Sequence, residues 1–330
     1  LSGAQITVAS RSGVARCVTE FPRAEEEPMG KQRYASSFRV DDKECAVTIR
    51  VPDGEGPFPA ILMVHGWGGV QDALTLPFYE PFEQSGFAVM AFDYSGWGKS
   101  EGSPRNFINP WQREREVEGA LEHLRAQPAI VPDRIVLWGT SFGGGHVVRV
   151  AARHPELLGA ITQVPMLDGM AAVKAVPPLR MLRFGFSAAA DLLRGRRNPF
   201  YVPVVAPPGE WASMDRDGAA EAMQNGLKDL LEAEGPEAAT YDNRVAGRSL
   251  LTMGVYRPFK SLKHVKVPTL VVGATRDTVA PFVENKIRAL NNANIQIEKL
   301  DANHFDPYFD PALSANLGYQ VAFLEGLLKS

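Results

Sequence analysis

The sequence predicts an α/β fold with a mostly parallel, doubly wound sheet of about eight strands and an inserted cap. Short, wholly apolar runs recur along the chain, and helical patterns alternate with them. Runs of this kind are typical of parallel strands that are buried on both faces. One long irregular stretch breaks the alternation and indicates the insertion.

The apolar runs define the predicted strands. The stronger runs are 60–64, 87–93, 134–139 and 269–274, and weaker ones lie at 159–164 and 295–300. Residues 37–52 contain two β-rich segments around a polar Asp-Asp-Lys-Glu turn, which predicts a hairpin before the parallel strands. Together these segments account for the predicted sheet.

Helical patterns fill the intervals between the predicted strands. Residues 111–127 place Val117, Leu121 and Leu124 on one face and charges on the other. We further expect helices over 142–155, 218–234 and 313–329, with Ala289 and Leu290 in another. Each of the core helices would cover one face of the sheet.

We expect three parts in the chain: an N-terminal extension (1–33), an α/β core (34–167 and 266–330) and an inserted cap (168–265). About a hundred residues between two core strands are too many for a loop. The aromatic residues of the cap suggest an apolar acyl or aromatic pocket, although ordinary cap core is an equal alternative. They are Phe184, Phe186, Phe200, Tyr201 and Trp211.

Composition excludes several classes of function. The net charge of -3 and the absence of a basic stripe argue against nucleic-acid binding. No apolar run approaches the ~18 residues of a membrane span. The beginning of the sequence lacks a signal-peptide core, so we expect a cytoplasmic protein; because it does not start with Met, a removed leader is an open alternative. Cys17 and Cys45 are expected to be free thiols.

The strongest chemical signal is Gly139-Thr140-Ser141-Phe142-Gly143, between an apolar strand and a helix. In that context G-x-S-x-G is the nucleophile elbow of α/β-hydrolases. Glycines are needed because larger side chains would collide in so tight a turn. The turn would lift the Ser141 hydroxyl to the carboxyl end of the sheet, beside the helix N-terminus. We therefore predict Ser141 as the nucleophile.

A serine nucleophile needs a base, and in this fold the chain order is Ser, acid, His. His304 follows the late strand 295–300 and precedes the final helix, so it is the predicted base. Asp277, directly after the strand 269–274, is the predicted acid, and Asp168 is its rival. His146 and His154 are expected in the helix after Ser141.

The second oxyanion donor should come from the loop His65-Gly66-Trp67-Gly68-Gly69, after the first buried strand. We predict the backbone N–H groups of Trp67 and Phe142 as the oxyanion hole, with Gly68 as the alternative to Trp67. His65 itself is expected to be a hydrogen-bonded scaffold residue. The sequence has no metal-binding spacing, and the predicted chemistry needs no cofactor.

These motifs together resemble α/β hydrolases of the dienelactone hydrolase and acyl-peptidase-like branch, from Phe38 to the end of the chain. The motifs are HGWGG, DYSGWGKSEG, GTSFGGG, the Asp277 turn and NHFDPY. The cap segments NPFYVPVV, VAGRSLL and VYRP resemble the group that contains fungal polyketide transferases and related bacterial hydrolases. Asn303 replaces the Gly that many relatives have before the histidine, which Asn's tolerance of unusual backbone angles would accommodate.

The resemblance implies an acyl-handling serine enzyme in which Ser141, Asp277 and His304 form the triad. We expect hydrolysis of a carboxylic ester from a small-molecule ester or acyl substrate. The alternatives are acyl transfer to an alcohol and amide or peptide hydrolysis with the same triad, or a binding protein on a hydrolase scaffold. A homodimer through the N-terminal extension or the cap is a hypothesis that rests only on the extra chain.

Overall fold

A central sheet organises the computed structural model, which describes residues 32–236 and 240–329. The strands are β1 Gln32–Val40, β2 Lys43–Val51, β3 Phe58–Val64, β4 Ala88–Phe92, β5 Ile130–Thr140, β6 Gly159–Gln163, β7 Tyr201–Val202, β8 Val245–Ala246, β9 Thr269–Ala274 and β10 Ile295–Leu300. The helices are α1 Leu76–Gln84, α2 Pro110–Arg125, α3 Phe142–Ala151, α4 Gly169–Lys174, α5 Pro178–Arg194, α6 Ala219–Glu234, α7 Glu284–Arg288 and α8 Ala312–Lys329. Short 3₁₀ segments cover Gly247–Thr252, Pro258–His264 and Asp306–Tyr308.

The sheet has eight strands in the order β1-β2-β4-β3-β5-β6-β9-β10. The β1–β2 hairpin is antiparallel, and β2 also pairs antiparallel with β4. All other neighbours in this sheet are parallel. Because the carboxyl ends of parallel strands meet at one edge, the residues that follow β3, β5, β9 and β10 are brought together there. The predicted α/β fold with a mostly parallel sheet is confirmed.

Two hydrophobic cores lie on opposite faces of the sheet. Along β3 and β4 alternate residues belong to different cores, since Leu62 and Met90 face one side while Met63 and Val89 face the other. Helices α2 and α3 pack on the first face, and α1 and α8 pack on the second. Burial on both faces explains why these strands read as continuous apolar runs.

Between β6 and β9 the chain forms helices α4, α5 and α6 together with the two-stranded β7–β8 sheet. We call residues 164–268 the insertion. Helix α5 packs along the 3₁₀ segment Gly247–Thr252, where Arg248 forms an ion pair with the fully buried Asp191. This pair joins the beginning and the end of the insertion.

Several boundaries differ from the sequence predictions. Strand β1 begins at Gln32, slightly before the predicted start of the core at residue 34. Helix α3 ends at Ala151, so His154 lies beyond it. Helix α7 ends at Arg288, so Ala289 only caps it and Leu290 lies beyond it. The predicted extension lies almost wholly outside the described residues, as does Cys17. No helix within the described part of the chain is long and apolar enough to cross a membrane.

Candidate active site

Ser141 occupies the tight turn between β5 and α3. Its backbone has φ 53 and ψ -120, a region that non-glycine residues rarely adopt and that costs on the order of 1–3 kcal/mol. Such strain persists only where the surrounding structure imposes it. The conformation places the Ser141 side chain at the carboxyl edge of the sheet, ahead of the first turn of α3.

The two flanking glycines allow this turn because backbone approaches them closely. A Cβ atom at Gly139 would lie 2.7 Å from the carbonyl oxygen of Gly143. A Cβ atom at Gly143 would overlap the carbonyl oxygen of Val64 at the end of β3. The requirement for glycine is therefore a requirement for space, which agrees with the sequence argument.

A continuous chain of hydrogen bonds joins Ser141, His304 and Asp277. The His304 Nε2 atom lies 2.9 Å from Ser141 Oγ, and His304 Nδ1 lies 2.6 Å from Asp277 Oδ2. All three residues are buried, with exposed fractions of 9%, 3% and 8% in that order. They lie in the turn after β5, the loop after β10 and the loop after β9. The residues predicted from separate motifs thus meet in one place.

The Asp277 carboxylate is held by its own loop. Its Oδ1 atom accepts hydrogen bonds from the backbone N–H groups of Val279 at 2.8 Å and Ala280 at 2.7 Å. The loop thereby fixes which oxygen faces His304. The rival acid Asp168 is engaged elsewhere, because it caps α4 and forms ion pairs with Arg257 and Lys286. Those cations hold the pKa of Asp168 below its ordinary value despite burial.

The loop after β3 borders the serine. A Cβ atom at Gly66 would lie 3.1 Å from Ser141 Cβ. The Trp67 ring packs edge-on against the Phe142 ring, with 5.2 Å between centroids, and the Trp67 indole N–H donates to Ser213 Oγ at 3.1 Å. Within the described residues, neither Trp67 nor Phe142 uses its backbone N–H in a hydrogen bond. Gly68 instead packs against Val204 of the insertion.

His65 is a buried scaffold residue behind this loop. Its Nδ1 atom lies 3.3 Å from the Gly66 carbonyl oxygen, and its ring packs edge-on against Tyr94. Burial, together with the nearby Arg113 guanidinium, lowers the pKa of His65 to about 3. The imidazole therefore stays neutral at ordinary pH, which suits a structural group rather than a proton carrier.

The loop Asp93 to Ser100 braces the site. Asp93 Oδ1 accepts from the Gln71 backbone N–H at 2.8 Å, and Asp93 Oδ2 accepts from the Lys99 backbone N–H at 2.9 Å. Burial raises the pKa of Asp93 to about 6. The Asp93 side chain thus ties its own loop to the one that follows β3.

Asn303, in the loop before His304, does not have the unusual backbone angles expected from its place in the sequence. Asn303 is absent from the positive-φ residues of the described chain. Its side-chain oxygen instead accepts from the backbone N–H groups of Phe305 at 2.7 Å and Asp306 at 3.0 Å. The Asn303 backbone N–H donates to Asp306 Oδ2 at 2.8 Å. Asn303 therefore acts through these hydrogen bonds, and the expectation of an unusual backbone angle is wrong.

Two cavities meet at Ser141. The larger, about 110 Å³, runs between Ser141 and the insertion and is walled mainly by apolar side chains, among them Val176, Met181 and Phe184. The smaller, about 40 Å³, lies on the side of His304 and is walled by residues including Met223. Ser141, Trp67 and Met214 line both cavities, whereas Gly68 lines neither.

Of the aromatic residues expected to form a pocket, only Phe184 lines the larger cavity directly. Trp211 packs behind it, with 5.1 Å between ring centroids. Phe186 points outward and is 67% exposed, so the expectation is wrong for this residue. The methionines Met166, Met181, Met214 and Met253 were not foreseen, because nothing in their spacing separates them from ordinary core.

Sequence reasoning also missed a buried amide network below the His304 loop. Gln163 at the end of β6 accepts from Asn316 Nδ2 at 2.7 Å and from Gln320 Nε2 at 2.8 Å, both on α8. Gln163 also donates to Thr140 Oγ1 at 3.2 Å, next to the serine. The network fixes α8 against the strand ends that carry the site. Polar residues at i and i+4 in an apolar helix were the available signal.

Cys45 is buried and free, as expected. Burial raises the pKa of its thiol to about 12. Within the described residues, no group of three or more His, Cys, Asp or Glu side chains is arranged to hold a metal ion.

The fold and the elbow at Ser141 define an alpha/beta hydrolase. Residues 61–317 match the model of the alpha/beta hydrolase family, and the chain belongs to this family. Membership supports an enzyme with hydrolase activity. It agrees with the family resemblance that the sequence motifs predicted.

Among individual relatives, the quorum-quenching protein AidA of Acinetobacter baumannii is 31% identical over 293 residues, 88% of this chain and 94% of the relative. A thiohydrolase of Eupenicillium brefeldianum is 24% identical over 230 residues, 69% of this chain and 73% of the relative. The crystal structure of the alpha/beta hydrolase GrgF from Penicillium sp. sh18 has a TM-score of 0.70 at 21% identity, covering 91% of this chain and 100% of that one. This structural likeness confirms the fold.

Proposed function

We propose that this protein is a serine hydrolase that cleaves a carboxylic ester through an acyl-enzyme on Ser141. The observation that carries the proposal is the buried chain of hydrogen bonds from Ser141 Oγ through His304 to Asp277. Its two links, 2.9 Å and 2.6 Å long, have the geometry that a nucleophile, a base and an orienting carboxylate require.

In the first step, Ser141 Oγ attacks the ester carbonyl carbon while His304 Nε2 takes the hydroxyl proton. Asp277 accepts a hydrogen bond from His304 Nδ1–H, which keeps that hydrogen on Nδ1 and leaves the Nε2 lone pair directed at the serine. The carboxylate also stabilises the imidazolium that forms. The protonated His304 then donates its proton to the leaving alcohol oxygen, and the C–O bond to the alcohol breaks.

The backbone N–H groups of Phe142 and Trp67 are the proposed oxyanion hole. Neither group has a hydrogen-bond partner in the described protein, and the N-terminus of α3 adds its partial positive charge at the same point. Each donor of this kind lowers the barrier by roughly 3 kcal/mol. Trp67 is preferred over Gly68 because Trp67 lines both cavities at the serine and Gly68 lines neither.

In the second step, His304 removes a proton from water, and the hydroxide attacks the acyl carbon. The bond to Ser141 Oγ then breaks, the serine regains its proton from His304, and the acid leaves. Each residue returns to its starting state. The scheme needs no cofactor.

The two cavities suggest how the substrate lies. The larger one suits an apolar acyl chain, because its walls include Val176, Met181 and Phe184. The smaller one, on the His304 side, suits the alcohol, which must receive its proton from that histidine. Residues 168–265 act as a cap in this proposal, since they supply most of the wall of the larger cavity.

Acyl transfer to an alcohol is the second candidate. The smaller cavity has apolar walls that include Val70, Ala73 and Met223, and such a site would hold an apolar alcohol in place of water. Similarity to a thiohydrolase and to a polyketide transferase of Penicillium sp supports including thioesters as acyl donors.

The test is hydrolysis of p-nitrophenyl esters from acetate to decanoate, with acyl thioesters in parallel. We expect turnover with an optimum chain length in the wild type and none above background for Ser141→Ala and His304→Ala. His154→Ala is the matched control, because His154 pairs with Glu156 away from the site and should retain full activity. Equal turnover of Ser141→Ala and wild type would contradict the proposal.

Two cavity variants separate hydrolysis from transfer. Val176→Trp should shorten the preferred acyl chain, because Val176 lines only the larger cavity. Met223→Trp should leave that preference unchanged but suppress ester formation with added alcohols, because Met223 lines only the smaller one. Partition of the acyl group between water and alcohol, measured by product analysis, decides between the two activities.

A further inference from the structure

Helix α5 has apolar side chains on two opposite faces. On its inner face, Met181 and Phe184 line the larger cavity. On its outer face, large apolar side chains are exposed by more than half: Leu179 by 72%, Leu182 by 56%, Phe186 by 67% and Leu193 by 90%. A row of this size on one helix is unusual for a surface that faces only water.

The spacing places the outer residues in one stripe. Leu182, Phe186 and Leu193 follow Leu179 at intervals that return to the same side of a helix with 3.6 residues per turn. The stripe lies opposite the buried residues Phe184, Ser187, Ala188 and Asp191. The outer apolar face is therefore continuous along α5, and it is separate from the face of α5 that packs on the rest of the insertion.

The surroundings of the stripe are basic. From Gly169 to Pro199 the exposed charged residues are all cations: Lys174, Arg183, Arg194, Arg196 and Arg197. The single acidic residue in that interval is Asp191, which is buried and paired with Arg248. Within residues 169–199 the exposed surface thus combines large apolar side chains with positive charge.

We propose that the outer face of α5 docks on the surface of an anionic lipid membrane. Apolar side chains on one helix face, flanked by arginines and lysines, are the features by which amphipathic helices lie in a membrane interface. The leucines and Phe186 enter the boundary of the acyl chains, while the arginines contact lipid phosphates. The helix lies on the membrane and does not cross it.

A second copy of the chain fits this face less well. In a two-fold dimer the same patch meets itself. The cluster of Arg194, Arg196 and Arg197 would then approach its own copy with no exposed acid between residues 169 and 199 to offset the repulsion. An anionic membrane supplies the opposite charge that this face lacks.

Membrane docking goes beyond the proposed hydrolysis, and the assay that tests it does not depend on enzyme activity. Co-sedimentation of the full chain with vesicles of phosphatidylcholine, and of phosphatidylcholine with phosphatidylglycerol, measures the partition coefficient directly. We expect binding to the anionic vesicles, weakened by added salt, and little binding to the neutral ones.

Two pairs of variants assign the surface. Leu182→Ser with Phe186→Ser should lower partition into anionic vesicles by roughly tenfold or more, whereas Leu231→Ser, at an exposed leucine of α6, should not. Arg196→Glu with Arg197→Glu should lower it by roughly tenfold or more. The control for this reversal of charge is Lys228→Glu with Lys329→Glu, which reverses two charges at exposed lysines of α6 and α8. Circular dichroism confirms that each variant is folded.

The proposal is overturned if the wild type fails to sediment with anionic vesicles, or if the α5 variants bind as well as their controls. It is also overturned if Leu182→Ser with Phe186→Ser abolishes a dimer seen by sedimentation velocity while vesicle binding is absent, since the face would then be a self-association surface. Turnover of a water-soluble short ester should be unchanged in all four variants, because none of the altered residues lines a cavity at Ser141.

Discussion

Replacement of Asp277 by Asn tests the orienting role of the carboxylate with almost no change in shape. In the structure Oδ1 accepts from two backbone N–H groups, Val279 and Ala280, while Oδ2 accepts from His304 Nδ1. An asparagine has one acceptor oxygen and one amide donor. The two backbone donors hold the oxygen, so the amide must face His304.

That orientation reverses the histidine. An amide N–H that points at His304 Nδ1 requires Nδ1 to be the acceptor, which puts the hydrogen on Nε2. Nε2 can then no longer take the proton of Ser141, which lies 2.9 Å away. Tautomer reversal of this kind in a serine triad lowers kcat about 10⁴-fold, which corresponds to about 5.4 kcal/mol of barrier.

The assay is steady-state hydrolysis of the best p-nitrophenyl ester, with the thermal midpoint of unfolding measured alongside. Asp277→Asn should lose kcat about 10⁴-fold with little change in KM. Asp301→Asn is the control, because the Asp301 side chain is 84% exposed and forms an ion pair with Arg276 and a hydrogen bond with Thr275. Retention of more than a tenth of the wild-type kcat by Asp277→Asn would refute the reasoning.

Three further predictions concern the groups around the site. Burial lowers the pKa of His65 to about 3 in the folded chain. In the unfolded chain the His65 imidazole binds a proton near its ordinary pKa, whereas in the folded chain it stays neutral. The folded state therefore loses stability as pH falls. Between pH 6 and pH 4 the free energy of unfolding of the wild type should fall more steeply than that of His65→Gln, by about 1.4 kcal/mol per pH unit. Urea titrations of both proteins measure this difference. Gly143→Ala should displace the loop after β3 and lower kcat about 100-fold, whereas Gly326→Ala, where the added Cβ meets nothing within 4 Å, should not; equal rates would contradict the packing argument. Burial raises the pKa of the Cys45 thiol to about 12, so in a Cys17→Ser background it should stay silent toward Ellman's reagent at pH 8 until urea unfolds the chain.

Much of the fold was predictable because the strands are buried on both faces. Runs such as 60–64 and 135–139 are wholly apolar, a pattern that is typical of strands covered on both faces. The ends of α3 and α7 were less predictable. Both helices stop, at Ala151 and Arg288, without a glycine or proline at the next position to mark the end.

The residues proposed as the triad were predictable because each follows the end of a core strand. Ser141 follows β5, Asp277 follows β9 and His304 follows β10, and the parallel sheet brings these ends to one edge. The choice of Asp277 over Asp168 also rested on its position, and the hydrogen bond to His304 agrees with it.

The cavity walls were not predictable in the same way. Met214 and Met223 reach the site from separate parts of the insertion, and their positions depend on how the insertion folds over the core. Phe186 was misassigned because the apolar periodicity of α5 does not reveal that one of its two apolar faces points outward. The sequence pattern shows that a helix face is apolar, but it does not show whether that face is buried or exposed.

The proposed hydrolysis passes through a covalent acyl-enzyme intermediate at Ser141. Protein quenched in acid during turnover of its best ester, then digested and examined by mass spectrometry, should carry the mass of the acyl group on the peptide that contains Ser141. The same adduct should be absent from Ser141→Ala. An acyl group found on a different residue, or turnover at full rate with Ser141 never modified, would contradict the central claim.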